Sequence, residues 1–213
     1  MESAIAAATK QVRLIECDLQ GVDLSRLDLS GFVFDRCNLI EADLSHMVAV
    51  GSAWLGCRAR RTNLRGADLT DARFTSGDWN NGSWQAVQIS GAVFTGVKLT
   101  GCGFAEAKSL GVSFVDCPMQ AADLKGLSFR KSALGRCDMS RADVRGCDFR
   151  GASFDEGSNL SEAMLTDARF DEADLRSVDL SGHGLDALKI LKGARIGLHQ
   201  AAAIVSSAGL RVG

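Results

Sequence analysis

The chain has 213 residues, of which 46% are hydrophobic and 23% charged, with 23 Gly, one Pro and no Tyr. Its 24 basic and 26 acidic residues give a net charge of −2, which argues against a broadly basic surface and direct nucleic-acid binding. No run of about 18 apolar residues could span a membrane, and the first residues lack the pattern of a signal peptide. We therefore expect a cytoplasmic protein without a membrane partner.

A large apolar residue recurs at every fifth position from Leu14 to Phe154. All three Trp residues and eight of the ten Phe residues fall on this series, and only Ala49, Ala59 and Ser109 break it. A period of five fits neither an α-helix nor a single β-strand. The pattern predicts a coil in which each five-residue unit forms one side, with its large residue pointing to a common axis.

Two further positions follow the same period. A small or β-branched residue stands two positions before the large one, as at Val22 and Ala42, and the residue between them is often Asp or Asn, as at Asp23 and Asp43. The cysteines all occupy the small position, so we interpret them as buried thiols and not as disulfides or metal ligands. They are Cys17, Cys37, Cys57, Cys102, Cys117, Cys137 and Cys147.

These units read A-(D/N)-L-x-x, and the chain resembles the pentapeptide-repeat proteins over about residues 12–185. The resemblance implies an all-β solenoid, a right-handed quadrilateral β-helix with four units in each coil. Positions 20 apart support such a coil, since the column of Phe34, Trp54, Phe74 and Phe94 is aromatic. This column predicts rings stacked along the axis of the rod.

The repeat shifts by one residue after Phe154 and resumes at Leu160. One inserted residue predicts an enlarged turn and not a new domain. We assign residues 1–182 to the β-helix and residues 183–213 to a C-terminal capping and dimerisation segment.

The C-terminal segment carries apolar residues at helical spacing. They predict a helix over residues 198–208, ended by Gly209, and a short strand over residues 210–212. An open solenoid end needs a cap, and the surplus of apolar residues predicts a two-fold homodimer. The residues expected at the dimer interface are Leu198, Ala201, Ala202, Ile204, Val205, Leu210 and Val212.

Nothing in the sequence indicates catalysis. It has no phosphate-binding loop, no nucleophile motif and no Cys/His cluster with metal-ligand spacing, so we predict a non-enzyme with no cofactor and no metal. Charge is uneven, however, because residues 156–182 hold seven acidic residues against two arginines. These acidic residues are the candidate partner-binding patch: Glu156, Glu162, Asp167, Asp171, Glu172, Asp174 and Asp179.

The segment 191–196, with Gln200-Ala201 and Gly209-Leu210, resembles the C-terminus of the MfpA and Qnr group of pentapeptide-repeat proteins. That resemblance implies a dimeric rod that binds DNA gyrase or topoisomerase IV by imitating duplex DNA. It also implies protection of the enzyme from a poison, as antibiotic resistance or as self-immunity. The uninterrupted repeat lacks the projecting loops of many Qnr proteins and is nearer to MfpA in this respect.

Charge limits how far such imitation could go. A duplex of about 80 to 100 Å, the length expected for the dimeric rod, carries about 50 negative charges, whereas two copies of this chain would carry −4. Imitation would therefore depend on rod shape and local acidic patches. The alternative is a general protein-interaction scaffold with a partner unrelated to topoisomerases, because a fold alone does not fix a function.

Overall fold

The computed structural model describes residues 12–211 of the chain. Eight short strands lie one per coil and form a parallel sheet in sequence order. Each strand pairs with the next at a spacing of 20 residues, as Leu14 does with Phe34 and Phe94 with Phe114. The strands are β1 (Arg13–Ile15), β2 (Val33–Asp35), β3 (Ala53–Leu55), β4 (Arg73–Thr75), β5 (Val93–Thr95), β6 (Ser113–Val115), β7 (Ala133–Gly135) and β8 (Ser153–Phe154).

The rod has four faces. The strands form the first face, and isolated parallel bridges join the coils on the other three, beginning at Asp18–Asn38, Asp23–Asp43 and Asp28–Val48. We call these the second, third and fourth faces. Since the chain turns a corner every five residues, no face allows more than three residues of regular strand. The predicted β-solenoid, with a short helical segment at its C-terminus, is confirmed.

Most corners are turns closed by a bond between the large and the small inward residues, as from the Val22 N–H to the Leu19 C=O at 3.2 Å. The third residue of the turn has a positive φ, 65° at Gly21 and 61° at Arg26. This conformation is typical of a type II turn and favours glycine, which explains much of the glycine content. The corner residues that are not glycine point into solvent.

The axis of the rod is filled by the large apolar residues. On the first face, successive rings stack as predicted, with centroids 4.0 Å apart for Phe34–Trp54, 4.6 Å for Phe74–Phe94 and 4.7 Å for Phe94–Phe114. Each stacked pair adds about 0.5 to 1.5 kcal/mol beyond the burial of its area. The small inward residues complete the core, and six of the seven cysteines are buried there.

The shift after Phe154 is a turn over residues 155–158, closed by a bond from the Ser158 N–H to the Asp155 C=O at 3.1 Å. Bridges that span this turn join residues 21 apart, as Asp138 does with Asn159, and the spacing returns to 20 between Asn159 and Asp179. The repeat therefore absorbs one extra residue as an enlarged corner, which confirms the prediction.

Two helices follow, α1 (Ala187–Ile190) and α2 (Leu198–Ser206). The coil-to-coil bridges continue as far as Arg195, which pairs with Asp174. Helix α2 ends two residues before the predicted bound, and Gly209 follows in a left-handed conformation with φ 79°. The predicted strand is wrong for residues 210 and 211, because neither pairs with another strand; residue 212 lies outside the described residues.

Gln200 fastens α2 to the last coil. Its side-chain N–H groups donate to the carbonyls of Leu175 and Val178, both at 2.6 Å, and its oxygen accepts from the Gly197 N–H at 2.5 Å. Ile204, 2% exposed, belongs to the apolar core at this end of the rod. The helix therefore lies against the last coil of the solenoid, and its role as a cap stays a prediction.

Candidate interaction surface

The acidic residues predicted as a patch wrap around the rod. Glu156, Glu162, Asp167 and Glu172 lie in the four successive turns of one coil, and all four are exposed. A coil takes about 20 residues, so an acidic stretch longer than one coil must reach every face. We call these four residues the acidic corner ring. Among the residues that the structure describes, no ring carboxylate has an ion-pair partner.

Two other members of the predicted patch have structural roles. Asp174 accepts two bonds from Arg176, at 2.8 and 2.6 Å, and these bonds lower the pKa of Asp174 to about 2. Asp179 accepts the backbone N–H of Ser181 at 2.9 Å. The remaining member, Asp171, is exposed beside Glu172. The carboxylates most free to meet a partner are therefore those at the corners.

The bond from an Asp to the N–H two residues ahead recurs through the rod. Asp23 accepts the Ser25 N–H at 2.9 Å and Asp28 accepts the Ser30 N–H at 3.0 Å. Hydrogen bonds from the side chains of Ser25 and Ser30, and after them these backbone bonds, lower the pKa of both carboxyl groups. The backbone bonds also hold the chain as it approaches each corner. An Asp one residue before the large apolar position is therefore primarily a structural residue.

Some corner charges elsewhere in the rod form pairs between neighbouring coils. Arg36 Nε donates to Glu16 at 2.9 Å, Arg136 donates to Asp116 at 2.6 Å, and Arg61 donates to Glu41. Each pair leaves its corner with little net charge. The unpaired acidic corner ring differs from these corners in its charge.

The residues predicted for a dimer interface occupy two environments. Leu198 is 93% and Leu210 is 59% exposed. Ala201, Ala202 and Val205 are half-buried, and Ile204 faces the core of its own chain. Val212 lies outside the described residues. The interface itself stays a prediction.

A cavity of about 600 Å³ lies between α2 and the last coil. Arg176, Asp179, His199 and Gln200 are among its lining residues, but Arg176 is held by Asp174 and Gln200 by backbone carbonyls. No group of three metal-ligating side chains occurs within residues 12–211. The cavity therefore has the character of a groove beside a docked helix.

No helix within residues 12–211 is long and apolar enough to cross a bilayer.

Comparisons with known proteins agree with the repeat. One model of pentapeptide repeats, described as nine copies, matches residues 129–174, and a second, described as eight copies, matches residues 13–52 and 48–78. No curated protein matches the chain significantly.

Solved structures match the whole rod. A trypsin-treated variant of QnrB1, a plasmid-mediated fluoroquinolone resistance protein, is 20% identical with a TM-score of 0.64, over 95% of this chain and 98% of that one. Full-length QnrB1 matches at 20% identity and a TM-score of 0.60, over 93% and 100%. HetL, involved in heterocyst differentiation regulation in the cyanobacterium Nostoc, is 23% identical with a TM-score of 0.62, over 87% and 85%. At these identities the likeness establishes the fold alone.

Proposed function

Since the chain belongs to the pentapeptide-repeat family, we propose that it is a non-catalytic rod that binds a type II topoisomerase and protects it from a poison. DNA gyrase is the favoured target, with topoisomerase IV as the related one. The match to a fluoroquinolone resistance protein over nearly the whole length of both chains supports this proposal. The C-terminal resemblance to the MfpA and Qnr group supports it independently.

The proposed contact with the topoisomerase is the acidic corner ring. A DNA-binding groove is lined by cations that neutralise phosphates on all exposed sides of a duplex. Four unpaired carboxylates, one at each corner of a single coil, present negative charge around the whole circumference of the rod. We propose that the rod enters the DNA site of the enzyme by shape, and that the ring supplies the local negative charge.

A homodimer would place two such rings near the centre of a longer rod. Leu198 and Leu210 support this arrangement, together with Leu185 and Leu188, which are 44% and 42% exposed at the same end of the molecule. Burying these side chains against a second copy would remove apolar area from water. The dimer and the cytoplasmic location are parts of the proposal.

The test is DNA supercoiling by gyrase in the presence of a quinolone. We expect the full chain to restore supercoiling, and the variant Glu156→Gln, Glu162→Gln, Asp167→Asn, Glu172→Gln to need at least about tenfold more protein. The control Asp71→Asn, Glu106→Gln removes two exposed corner carboxylates elsewhere in the rod and should protect like the unaltered chain.

The two parts of the proposal fail separately. If the unaltered chain neither binds gyrase nor restores supercoiling over a wide concentration range, the topoisomerase function is wrong. If it protects and the ring variant protects equally, the function stands and the ring is not the contact.

The alternative is an interaction scaffold for a different protein. The match to HetL, which is involved in the regulation of heterocyst differentiation, favours this possibility, because the same fold at similar likeness serves another process. Capture of a single non-topoisomerase protein from the native lysate, with no gyrase retained, would favour this alternative over the first proposal.

A further inference from the structure

A basic cleft lies at the corner between the fourth and first faces, on the coils that precede the C-terminal helices. It has a volume of about 310 Å³, and its lining carries four cations against two carboxylates. The cations are Arg130, Lys131, Arg150 and Arg169; the carboxylates are Asp171 and Glu172. In a chain with a net charge of −2, this local excess stands out.

Only one of the four cations is held by a full ion pair. Arg150 donates to Asp148 through Nε at 2.8 Å and through Nη2 at 2.6 Å, and this fork, with the charge of Arg169, lowers the pKa of Asp148. The side chains of Arg130 and Lys131 form no hydrogen bond or ion pair within the described residues. They are therefore free to bind an anion.

The repeat places like charges side by side at the cleft. Arg130 and Arg150 occupy equivalent positions in neighbouring coils, about 4.8 Å apart along the rod. Like charges at such positions repel, so an anion between them would relieve the repulsion. Lys131 lies between Gly111 and Gly151 in its corner column, where no neighbouring side chain limits access.

An exposed apolar residue adjoins the cations. Leu110 holds the position of Arg130 in the preceding coil and is 76% exposed. The coils are also less tightly joined here: the Gly91 N–H bonds to the Leu110 C=O and the Lys131 N–H to the Arg150 C=O, both at 2.9 Å, whereas the corresponding bond from Gly111 to Arg130 is missing among the described residues.

Ser109 accounts for this interruption. It replaces a large apolar residue at the axis and is 4% exposed. Its hydroxyl accepts the Ser128 N–H at 2.9 Å and donates to the Ser128 C=O at 3.3 Å, in place of backbone bonds between the coils. The Gly111 N–H and the Arg130 C=O have no backbone hydrogen bond among the described residues, and both residues are exposed beside Leu110.

We propose that Leu110, Arg130, Lys131 and Arg169 form a docking surface for an acidic segment of a protein partner, with an apolar side chain of that segment packed on Leu110. The arginine and lysine side chains would form ion pairs with carboxylates of the segment. The Gly111 N–H and the Arg130 C=O would form hydrogen bonds with its backbone. A free phosphate would make no use of Leu110. An extended nucleic acid would run from the cations onto Asp171 and Glu172, which would repel it.

The experiment measures fluorescence anisotropy of labelled peptides with the full chain. The probes are a ten-residue oligoglutamate with a central Phe and the same peptide with a central Ala. We expect Arg130→Glu, Lys131→Glu to weaken binding of both at least about tenfold, and Leu110→Ser to weaken binding of the Phe peptide only. The control is Arg58→Glu, Arg65→Glu, which reverses two exposed arginines that have no ion-pair partner within residues 12–211.

The remaining outcomes would overturn the proposal. They are no binding of either peptide, equal loss with the control variant, or preference for a short DNA duplex that the Arg130 and Lys131 variant abolishes. Complete displacement by inorganic phosphate at low millimolar concentration would assign the cleft to a small anion. The experiment contains no topoisomerase, so its result is independent of the proposed function.

Discussion

At the scale of single residues, the position within the five-residue unit determines what a side chain can do. Asp174, one residue before the large apolar position, is held by Arg176, and Asp179 is held by a backbone N–H. Glu162 and Glu172 are at corners and make no such bonds among the described residues. The same acidic charge is structural in one position and free for recognition two or three residues away.

The cysteines test this positional rule. Burial raises the pKa of the Cys57, Cys102 and Cys137 thiols to about 12, and only Cys17 among the seven is partly exposed. Because the thiolate is the reactive form, we expect the native protein at pH 8 to show one rapidly reacting thiol toward an aromatic disulfide reagent.

In guanidinium chloride all seven thiols should react. The variant Cys17→Ser should lose the rapid phase and keep its secondary structure by circular dichroism. Rapid reaction of three or more thiols in the native chain would contradict the packing described for the small inward positions.

At the scale of elements, the sequence predicted the features that follow from the repeat along the chain. It missed the features that depend on contacts between coils. The five-residue period was enough to predict that each unit forms one side and that the corner after Phe154 is enlarged. The four-unit coil implied by the family resemblance was needed to predict the four faces and the stacked rings such as Phe74–Phe94. The strand expected after Gly209 failed because a strand needs a neighbouring edge, which apolar sequence alone does not provide.

The surfaces were harder to predict for the same reason. Residues 156–182 were expected to form one patch, yet the coil distributes them over all four sides. Conversely, Arg130, Arg150 and Arg169 are distant in sequence and meet at one cleft. Arranging the sequence in rows of 20 would have revealed both facts, since residues in one column become neighbours.

Helix α2 offers a separate prediction about assembly. Leu198 is 93% exposed in the single chain, so Leu198→Glu should leave the melting temperature of a monomer nearly unchanged. If the proposed two-fold interface buries this side chain, the substitution removes about 1.5 to 3 kcal/mol of association free energy from each copy. The dissociation constant of the dimer should then rise at least about 100-fold.

Light scattering after size-exclusion chromatography would measure this effect. Ser206→Glu, at the exposed C-terminal end of the same helix, is the matched control and should leave the dimer intact. A chain that is monomeric without substitution, or a Leu198→Glu variant that stays dimeric at low micromolar concentration, would refute the proposed interface.

At the scale of the whole molecule, the rod is a one-dimensional stack in which each coil contacts only its neighbours. The acidic corner ring and the basic cleft meet at Glu172, which belongs to the ring and also lines the cleft, and away from this corner they extend over different coils. Such a molecule can present opposite charges to different partners, because its rigid core does not couple them by a change of shape.

The same modularity predicts that one complete coil can be removed. Deleting residues 81–100 places Phe114 above Phe74, keeps every inward residue inward, and substitutes Gly101 for Asn81 at a corner with positive φ. We expect a folded rod shorter by about 4.8 Å, with native-like circular dichroism and a smaller maximum dimension in solution scattering.

Deleting residues 81–103 removes only three residues more, yet it should prevent folding. A surplus residue can bulge outward, as the turn over residues 155–158 does, but a shortage leaves a coil too short to close its four sides. The longer deletion would also bring outward residues to the axis and leave backbone groups of both neighbouring coils unpaired. If both deletions fold equally well, the coils are not the independent, four-sided units on which the description of both surfaces depends.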